Sequence, residues 1–367
     1  MDRIAAIDTY EAKVPLPQAL VVGSARLTHR TYSVVKVTTT DGIVGVGYCY
    51  SRGLPMAKII DAVITPVTLG ATAESPDEIR KLIFGFNWQS AEHGTLTSAA
   101  SAVDIALHDI VGKRVGKSVA TMLGATVSEV PVYSVIGYNY GDDESGLANE
   151  IDYALGRGIA SFKIVFGAGT PERDAKRLEV LRSKVGSSAL IAVDAFRTLK
   201  TLENAINRVN LIKDFAISFV EDPFLESEGV LTMALREATG VPVSFGESLA
   251  SSKMAEQVLH YNQTDVLRVD ALVIGGVGEF LKATEAAHKK GKFFATHIHT
   301  EIHSQLAAAT PNLYPGGLEY IDPHLETDLF HHLLIEPIEI ENGQAILSTE
   351  PGFGIKWDWE AIHHFSR

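Results

Sequence analysis

The sequence lacks the features that mark several large classes of protein. Its 367 residues include a single cysteine, Cys49, which rules out an internal disulfide framework. Basic residues number 32 against 45 acidic ones, for a formal net charge of −13, and no local basic run stands out. Because binding to nucleic acid rests on clustered Lys and Arg side chains, the composition excludes nucleic acid as a partner.

Long apolar stretches are also missing. No run approaches the roughly 18 residues that a membrane-spanning helix needs, and the opening MDRIAAIDTY has no apolar core of signal-peptide length. We therefore expect a soluble, cytoplasmic protein with no membrane partner. Apolar residues make up 46% of the chain and charged residues 21%, which suits a sizeable core and gives no sign of disorder. A chain of this length predicts two domains, or one large barrel with an addition.

The first part of the chain has the pattern of a mixed α+β domain, which we place at residues 1–128. RIAAIDTYEAKV has a strand pattern, and we interpret the following QALVVGSARLTHR as a polar loop. TYSVVKVTTTDGIVGVGYCY predicts two strands around a turn at Asp41-Gly42. Apolar residues then recur at helical spacing in SAVDIALHDIVGKRVGKSVATMLG, which predicts a helix.

From about residue 130 the pattern changes, and short apolar runs alternate with helical stretches. Strands that alternate with helices predict a parallel sheet with right-handed crossovers. The runs are VPVYSVIG, SFKIVFG, LIAVDAF, ISFVEDP, VPVSFGES, DVLRVDALVIGG and KFFATHIH. About seven or eight such units fit a (β/α) barrel over residues 129–333 better than an open sheet. Residues 334–367 have strand patterns without a helix, and we expect them to return to the first domain.

A polar residue stands at a comparable place near the end of most predicted barrel strands. In a barrel, the carboxyl ends of the strands form a single rim where active sites lie, so residues far apart in sequence converge there. In chain order, these residues are Lys163, Asp194, Glu221, Glu247, Asp270 and His297.

Three successive members of this series are acids, namely Asp194, Glu221 and Glu247. Carboxylates crowded into a partly dry site repel one another unless a cation neutralises them. Ligation by oxygen alone, with one ligand from each residue and open positions for water or substrate, suits a hard divalent ion such as Mg²⁺. The alternative is a set of rim acids paired with surface Lys or Arg. Their repetition at successive strand ends favours the metal.

The stretch ATHIHTEIH holds three histidines and invites a zinc interpretation. However, His299 lies just past the predicted strand, and HTEIH lacks the His-Glu-x-x-His order of zinc proteases. We therefore interpret His299 and His303 as packing or surface residues. His297 differs because Asp270 ends the preceding strand, and an Asp beside a His fixes its tautomer and raises its basicity, as a general base requires. The alternative is a rim hydrogen bond without chemistry.

Taken together, these residues resemble the enolase superfamily, in its mandelate racemase subgroup, over nearly the whole chain. Asp194, Glu221 in VEDP and Glu247 in FGES match the three metal ligands of the family. DALVIGGV, beginning at Asp270, and THIHTEI, with His297, match the subgroup's Asp–His dyad, while SAVDIALHDIVGKRVGKSVATMLG resembles the helix that closes the capping domain. The resemblance implies an α/β fold: a modified TIM barrel, (β/α)7β, with an α+β capping domain built from the N-terminal region and the C-terminal segment.

The resemblance also implies a reaction. Members of the subgroup remove the α-proton of a carboxylate substrate, and Mg²⁺ stabilises the enediolate that forms. We therefore expect one Mg²⁺ per subunit, with Mn²⁺ as an alternative, a small-molecule carboxylate as substrate, and a homo-oligomer. Because an enediolate carries two negative charges on its oxygens, nearby donors must offset that charge. We place Lys163 at one carboxylate oxygen and Glu319 of GGLEY, if protonated, as a donor to the other.

The chain departs from the subgroup at the second barrel strand. The usual Lys-x-Lys is here Lys163 followed by Val165, and the resemblance implies that the missing lysine is the base opposite the histidine. Phe196 also stands where the family often has Asn. A single base favours dehydration of a sugar acid to a 2-keto-3-deoxy product, with His297 first taking the α-proton and then protonating the departing β-hydroxyl. One alternative is a racemase, epimerase or cycloisomerase of a 2-hydroxy or sugar acid with a replacement base such as Tyr138. Another is a barrel that binds metal and ligand without turnover.

Substrate choice in this family involves the first loop of the capping domain, which here is QALVVGSARLTHR. Its apolar Val22 and its polar Arg26 and His29 would suit either an aryl group or hydroxyls. Gly23 would give the hinge freedom that a closing lid requires. With Tyr138, which follows the first barrel strand, Val22, Arg26 and His29 are the predicted substrate-binding residues.

Overall fold

A long antiparallel hairpin opens the structure. The computed structural model describes residues 2–22, 25–86, 94–138 and 144–367. The first three strands pair antiparallel in chain order: β1 (Ile4–Val22), β2 (Ala25–Thr39) and β3 (Val44–Tyr50). The predicted polar loop at 18–30 is therefore wrong, because it forms the far ends of β1 and β2, apart from Gly23 and Ser24, which lie outside the described residues. The strands continue because Leu20 stays buried and pairs with Leu27 beyond a register shift.

A long helix packs closely against β3. The helical elements of this domain are α1 (Met56–Ile59), a π-helical turn (Ile60–Ile64), α2 (Thr65–Thr68), α3 (Pro76–Phe86), α4 (Gly94–Val115) and α5 (Val119–Met122). Gly45 and Gly47 face α4, where a Cβ on either glycine would lie 2.1 Å from a helix carbonyl oxygen. Glycine at these alternate positions therefore allows the helix and the sheet to approach.

Within the part of the chain that the structure describes, eight parallel strands form the barrel. They are β4 (Glu129–Ile136), β5 (Phe162–Val165), β6 (Ile191–Asp194), β7 (Ile217–Glu221), β8 (Val243–Phe245), β9 (Val266–Val269), β10 (Phe293–Thr296) and β11 (Leu318–Tyr320). Neighbouring strands pair in chain order from β4 to β10, and β11 pairs with β4. A parallel bridge between Phe294 and Leu313 brings the chain leading to β11 beside β10 and closes the ring.

One α-helix follows each of the first seven barrel strands within the described residues. These helices are α6 (Glu144–Gly156), α7 (Pro171–Val185), α8 (Leu202–Ile212), α9 (Gly229–Thr239), α10 (Ser252–His260), α11 (Val277–Lys289) and α12 (Thr300–Ala307). Short 3₁₀ turns occupy Lys213–Phe215, Glu226–Glu228, Pro323–Leu325 and Phe330–Leu333. The predicted (β/α)7β barrel is confirmed. Its core includes fully buried aromatic rings such as Phe219, Phe245 and Phe294, each worth about 1.5–3 kcal/mol when removed from water.

The C-terminal segment returns to the first domain, as expected, but it also contains a helix. β12 (Leu334–Glu336) pairs with β15 (Lys356–Trp357), while the hairpin β13 (Ile340–Glu341) and β14 (Gln344–Ile346) adds to β4. Helix α13 (Trp359–Phe365) then packs on β1, with the rings of Tyr10 and Trp359 centred 5.5 Å apart. The prediction of strands alone was wrong here, because Asp358 caps the helix by accepting a hydrogen bond from the Ala361 amide at 2.9 Å.

The capping domain is bonded to the barrel near the end of β9. Ser101 Oγ on α4 accepts the Gly275 amide at 2.9 Å, and Asp104 Oδ1 accepts the Val277 amide at 2.8 Å. Both amides belong to the turn that leads from β9 into α11. Among the described residues, no helix combines the length and apolar character needed to cross a membrane.

Candidate active site

A cavity of about 360 Å³ lies where the carboxyl ends of the barrel strands meet the capping strands. This volume is in the range of small-molecule sites. Its lining comprises Leu27, Arg30, Tyr50, Arg52, Tyr138, Asp194, Phe196, Arg197, Asp222, Glu247, His297, Ile298, Ile321 and Asp328. A larger surface groove of about 670 Å³ between α10 and α11 contains none of the predicted site residues. The cavity at the rim is therefore the candidate active site.

The predicted Asp–His dyad is assembled at this cavity. His297 Nδ1 lies 2.8 Å from Asp270 Oδ2 and donates to it, and the Leu272 amide donates to Asp270 Oδ1 at 2.8 Å. Burial alone would raise the pKa of Asp270, but the hydrogen bond from His297 and the nearby histidines outweigh it and lower the pKa to about 2. Asp270 is therefore ionised and fixes the His297 tautomer. The other ring nitrogen, His297 Nε2, lies 3.6 Å from Glu247 Oε2.

His299 is buried beside the dyad rather than in the cavity lining. Its Nδ1 lies 3.2 Å from the Tyr48 hydroxyl, and burial lowers the pKa of His299 to about 4. Polar atoms of Asp270, His297 and His299 lie within 4.8 Å of one another, which is compact enough for a metal ion. A metal there would replace the hydrogen bond that orients His297, and a more suitable donor set lies on the neighbouring strands.

His303 packs behind the dyad on α12. Its Nδ1 donates to the Ile298 carbonyl at 2.7 Å, and its Nε2 accepts the Ala271 amide at 3.0 Å. Both ring nitrogens are thus occupied by backbone groups that follow β9 and β10. The expected packing role of His303 agrees with these contacts, which hold the two strand ends carrying the dyad.

The three predicted metal acids stand on successive strands. Asp194 ends β6, Glu221 ends β7, and Glu247 follows β8 by two residues. Lys163 Nζ lies 2.6 Å from Glu221 Oε1 and 3.2 Å from Asp194 Oδ2, while an Arg268 nitrogen lies 3.0 Å from the same Glu221 oxygen. The second oxygen, Glu221 Oε2, is buried without a hydrogen-bond partner. A buried carboxylate oxygen without a partner, between two further carboxylates, fits a hard divalent cation such as Mg²⁺.

Lys163 and Glu319 are also brought together, in a buried ion-pair network. Burial would lower the pKa of Lys163, but its contacts with Glu221, Glu319 and Asp194 outweigh this and hold the pKa well above its ordinary value. Burial would raise the pKa of Glu319, yet Arg268 and Lys163 lower it to about 2. At that pKa Glu319 is an acceptor; the donor role was predicted only for a protonated Glu319 and remains a prediction. The low pKa arises chiefly from the pairing of Arg268 with Glu319, which the sequence analysis missed.

The end of β5 carries no replacement for the missing lysine base. Val165 stands at the end of β5 with no titratable group and is 2% exposed. Tyr138 lines the cavity, with its ring centred 6.1 Å from that of Phe196. Burial raises the pKa of Tyr138 well above its ordinary value, so its hydroxyl stays protonated. This argues against the Tyr138 base considered in the isomerase alternative.

The predicted substrate contacts of the capping domain are only partly placed at the cavity. Leu27 and Arg30 line it, whereas Arg26 and His29 do not, and nothing is described for the Val22 side chain. The difference arises because this segment is strand β2, in which side chains alternate between faces, and not a loop. A register shift within the hairpin changes which positions face inward, so that Arg30 points to the cavity. Arg30 donates to the Tyr50 hydroxyl at 2.7 Å.

Two arginines near the candidate site escaped the sequence analysis. Arg268 is fully buried on β9, and Arg197 lines the cavity 2.6 Å from Asp222 and 3.4 Å from Glu247. A signal for Arg268 was present in DVLRVD, where a charged residue interrupts an apolar strand. It stands two positions before Asp270, and residues two apart on a strand share a face. Arg197 gave no comparable signal, because it follows β6 in an irregular segment.

Unusual backbone conformations cluster at the same rim. Positive φ angles occur outside glycine at Phe196 (46°), Arg197 (59°), Asp222 (42°), Ile298 (33°) and His299 (54°). Such angles are uncommon for non-glycine residues and are outliers for a β-branched one such as Ile298. Local strain of this kind concentrates at functional sites, where the surrounding structure enforces it. The backbone thus identifies the same region as the cavity and the ionisable groups.

The fold and the site define a capped barrel enzyme with a carboxylate cluster and a His–Asp pair at its mouth. The N-terminal domain profile of the mandelate racemase / muconate lactonizing enzyme family matches residues 5–124, and the enolase C-terminal domain-like profile matches residues 146–361. The chain therefore belongs to the mandelate racemase/muconate lactonizing enzyme family of the enolase superfamily, and the resemblance drawn from its motifs is confirmed.

Curated relatives and solved structures extend over most of the chain. L-Talarate/galactarate dehydratase from Salmonella typhimurium is 28% identical over 92% of this chain and 85% of its own length. D-Galactarolactone cycloisomerase from Agrobacterium fabrum is 26% identical over 99% of this chain and 98% of its own length. A crystal structure of the Salmonella typhimurium dehydratase, liganded with Mg and L-lyxarohydroxamate, has a TM-score of 0.89 and 25% identity, covering 100% of this chain and 93% of that one. The relatives are dehydratases, cycloisomerases and racemases, so this chain is an enzyme.

Proposed function

We propose that this enzyme is a Mg²⁺-dependent sugar-acid dehydratase in which His297 is the base. The observation that carries the proposal is the asymmetry of the cavity. His297 meets it with its tautomer fixed by Asp270, whereas on β5 Lys163 is held by three carboxylates and Val165 cannot move a proton. The dehydratase activity of the Salmonella typhimurium relative supports this assignment.

Two further acids, Asp222 and Asp328, line the cavity, and each contacts a donor. Asp222 lies 2.6 Å from a guanidinium nitrogen of Arg197, and Asp328 accepts a hydrogen bond from the Tyr32 hydroxyl. Each carboxylate is thus engaged by a donor through one oxygen. The proposed reaction uses His297 alone, because Val165 stands in place of the second lysine.

In the proposed reaction, His297 serves first as base and then as acid. Its Nε2 takes the α-proton as the α-carbon–hydrogen bond breaks, and Asp270 stabilises the imidazolium that forms. The β-carbon–oxygen bond then breaks, and the departing hydroxyl takes the proton from Nε2 to leave as water. The resulting enol rearranges to the 2-keto-3-deoxy acid, so the net change is loss of one water with no oxidant or reductant. Because one group serves both steps, the hydrogen and hydroxyl leave from the same face.

The carboxylates of Asp194, Glu221 and Glu247 are the residues that would hold the metal. When bound there, Mg²⁺ supplies positive charge to the substrate carboxylate as negative charge develops on its oxygens, and Mn²⁺ could serve in the same way. Lys163 remains protonated among these carboxylates, so it adds a fixed positive charge at the floor of the site. Arg268 contributes a second buried cation beside Glu221.

The test is incubation of the purified enzyme with Mg²⁺ in D₂O against a panel of sugar acids and aryl hydroxy acids. The expected result is a 2-keto product of one sugar acid, with turnover lost in His297→Asn. Recovery of substrate with inverted configuration, deuterium at the α-carbon and no keto product would overturn the proposal and require a second base. Undiminished turnover in His297→Asn would reject His297 as the base.

A cycloisomerase is the second candidate, because ring opening or closure by β-elimination or addition also needs only one base. The activity of the Agrobacterium fabrum relative favours it over a racemase, whose chemistry needs a group on each face. The same incubation separates the candidates, since a cycloisomerase product keeps the mass of the substrate and a dehydratase product loses one water.

Other expectations remain predictions. They are the domain limits at 1–128, 129–333 and 334–367, the cytoplasmic location, the homo-oligomeric assembly and the roles assigned to individual side chains. A small-molecule carboxylate as substrate is part of the proposal above. Its identity and stereochemistry are what the substrate panel would determine.

A further inference from the structure

The turn between β11 and β12 brings one carboxylate and two imidazoles together outside the cavity. Glu326 Oε1 lies 3.3 Å from His331 Nε2, and Glu326 Oε2 lies 2.9 Å from His332 Nε2. The two imidazole rings are centred 4.2 Å apart. All three ligand atoms lie within 4.8 Å of one another. We refer to these residues as the turn cluster.

The tautomer of His331 follows from its backbone contact. His331 Nδ1 lies 3.2 Å from the Asp328 carbonyl oxygen, which can only accept, so Nδ1 carries a proton. When the ring is neutral, Nε2 therefore presents a lone pair toward the carboxylate oxygen of Glu326, which also presents lone pairs. Two acceptors at this distance repel unless a proton or a metal ion lies between them.

The spacing of the turn cluster suits a tetrahedral metal ion. Zinc binds imidazole nitrogen and carboxylate oxygen at about 2.0–2.2 Å, which separates neighbouring ligand atoms by about 3.3 Å. The distances of 3.3 and 2.9 Å join the two imidazoles to different oxygens of Glu326, and one ligand atom from each of the three residues lies within 4.8 Å of the others. Metal-binding histidines commonly donate their other ring nitrogen to a backbone carbonyl, as His331 does. Glu326 also adopts a positive φ of 50°, a conformation uncommon outside glycine.

We propose that Glu326, His331 and His332 bind a divalent transition-metal ion of the zinc class, separate from the oxygen site at the barrel rim. Two imidazoles and one carboxylate select such an ion over Mg²⁺, which prefers oxygen ligands. Glu326 and His332 are partly exposed, with 38% and 39% of their side-chain surfaces accessible, so an ion can enter and a water can complete the coordination.

The position of the turn cluster indicates what the ion does. Between Glu326 and the histidines lie Thr327 and Asp328, whose oxygens accept hydrogen bonds from Arg30 and Tyr32 of the capping strand β2. An ion that joins Glu326 to the two histidines closes the turn around these two acceptors. It thereby stabilises the contact between cap and barrel at the edge of the cavity, without touching the reacting atoms.

The test is titration of the enzyme with Zn²⁺ by calorimetry in saturating Mg²⁺. The variants are His331→Asn/His332→Asn and Glu326→Gln, and the control is His363→Asn/His364→Asn, an adjacent pair exposed on α13. We expect wild type and control to bind one more Zn²⁺ than the cluster variants, or to bind it at least about 10–100-fold more tightly. Substituting a residue that only supports a metal ligand already lowers affinity by that factor. Zinc held elsewhere, such as beside Asp270, is common to all four proteins and cancels in the comparison.

Thermal unfolding with and without Zn²⁺ gives a second measurement. An ion that binds only the folded protein raises the unfolding temperature, so wild type and control are expected to shift upward and the cluster variants to shift less. Equal zinc binding in the control and the histidine variant would overturn the proposal, as would absence of binding by wild type. If the double histidine variant does not fold, Glu326→Gln alone decides between these results. Neither measurement depends on the reaction proposed above.

Discussion

Replacing Asp270 by Asn would test the dyad with almost no change in shape. Asp270 Oδ1 accepts the Leu272 amide at 2.8 Å, while Oδ2 accepts His297 Nδ1 at 2.8 Å. In the Asp270→Asn variant the amide oxygen must stay with the Leu272 N–H, so the NH₂ group takes the place of Oδ2. His297 Nδ1 then has to accept, which moves the ring proton to Nε2, the atom that must take the α-proton.

The size of the effect follows from two losses. General base catalysis contributes about 10²–10⁴ in rate, and a hydrogen bond donated to an ionised carboxylate contributes about 1.5–3 kcal/mol to the imidazolium state. These losses overlap, because both concern the same proton. We therefore expect kcat to fall by about 10³-fold, equivalent to about 4 kcal/mol at roughly 1.4 kcal/mol per factor of ten.

The assay is exchange of the α-proton in D₂O, alongside product formation. His297→Asn is expected to show a similar loss, and Asp270→Asn/His297→Asn no more than the larger single loss, because the two residues act as a unit. Mg²⁺ affinity should change little, since neither residue is a predicted ligand. An Asp270→Asn enzyme that exchanged the α-proton at more than a tenth of the wild-type rate would refute the tautomer argument.

Four further outcomes are expected. Gly47→Ala should destabilise the fold by about 1–3 kcal/mol in denaturant unfolding, because its Cβ would lie 2.1 Å from a helix carbonyl oxygen. Gly85→Ala is the control, since a Cβ there would have nothing within 4 Å. Equal stability of the two variants would contradict the close packing. Arg268→Met should cost about 3–5 kcal/mol by leaving Glu319 buried without its guanidinium partner, and a loss below about 1 kcal/mol would show that the network tolerates it. Burial raises the pKa of Glu301 from 4.5 to about 7. The folded protein therefore holds this proton more tightly than the unfolded chain, so the free energy of unfolding should decline as pH rises from about 4.5 to 7. The decline should be at most about 3 kcal/mol, and smaller because solvent partly screens Glu301. Glu301→Gln should flatten this pH dependence in urea titrations, and an unchanged pH dependence would reject the assignment. Chelation with EDTA should abolish turnover and added Mg²⁺ restore it, while full activity of the chelated enzyme would exclude the metal.

The strand ends were the most predictable part of the site. Each acid or histidine follows a short apolar run, and parallel strands bring their carboxyl ends to one rim whatever the loop lengths. Asp194, Glu221 and Glu247 on successive strands, and Asp270 beside His297, follow from that rule alone. Their side-chain contacts could be anticipated because the barrel leaves each strand a fixed pair of neighbours.

The capping hairpin and the buried cations were less predictable. QALVVGSARLTHR contains Gly23 and several polar residues, so local composition favoured a loop, whereas pairing between β1 and β2 overrides that preference through long-range hydrogen bonds. Arg268 was overlooked because an apolar strand pattern hides one charged position. The energetic cost of burying the Arg268 charge is offset by ion pairs with Glu319 and Glu221, which lie on strands distant in sequence.

The hydrogen bonds that Ser101 and Asp104 accept from the turn after β9 tie the capping domain to the candidate active site. That turn begins at Asp270, so the helix closing the capping domain also supports the backbone that positions the carboxylate of the dyad. A chimera that received a foreign cap to gain a new substrate would lose this support unless both helix residues came with it. Divergence of specificity in this chain is therefore easier in the hairpin carrying Leu27 and Arg30, which can change while the helical contact stays fixed.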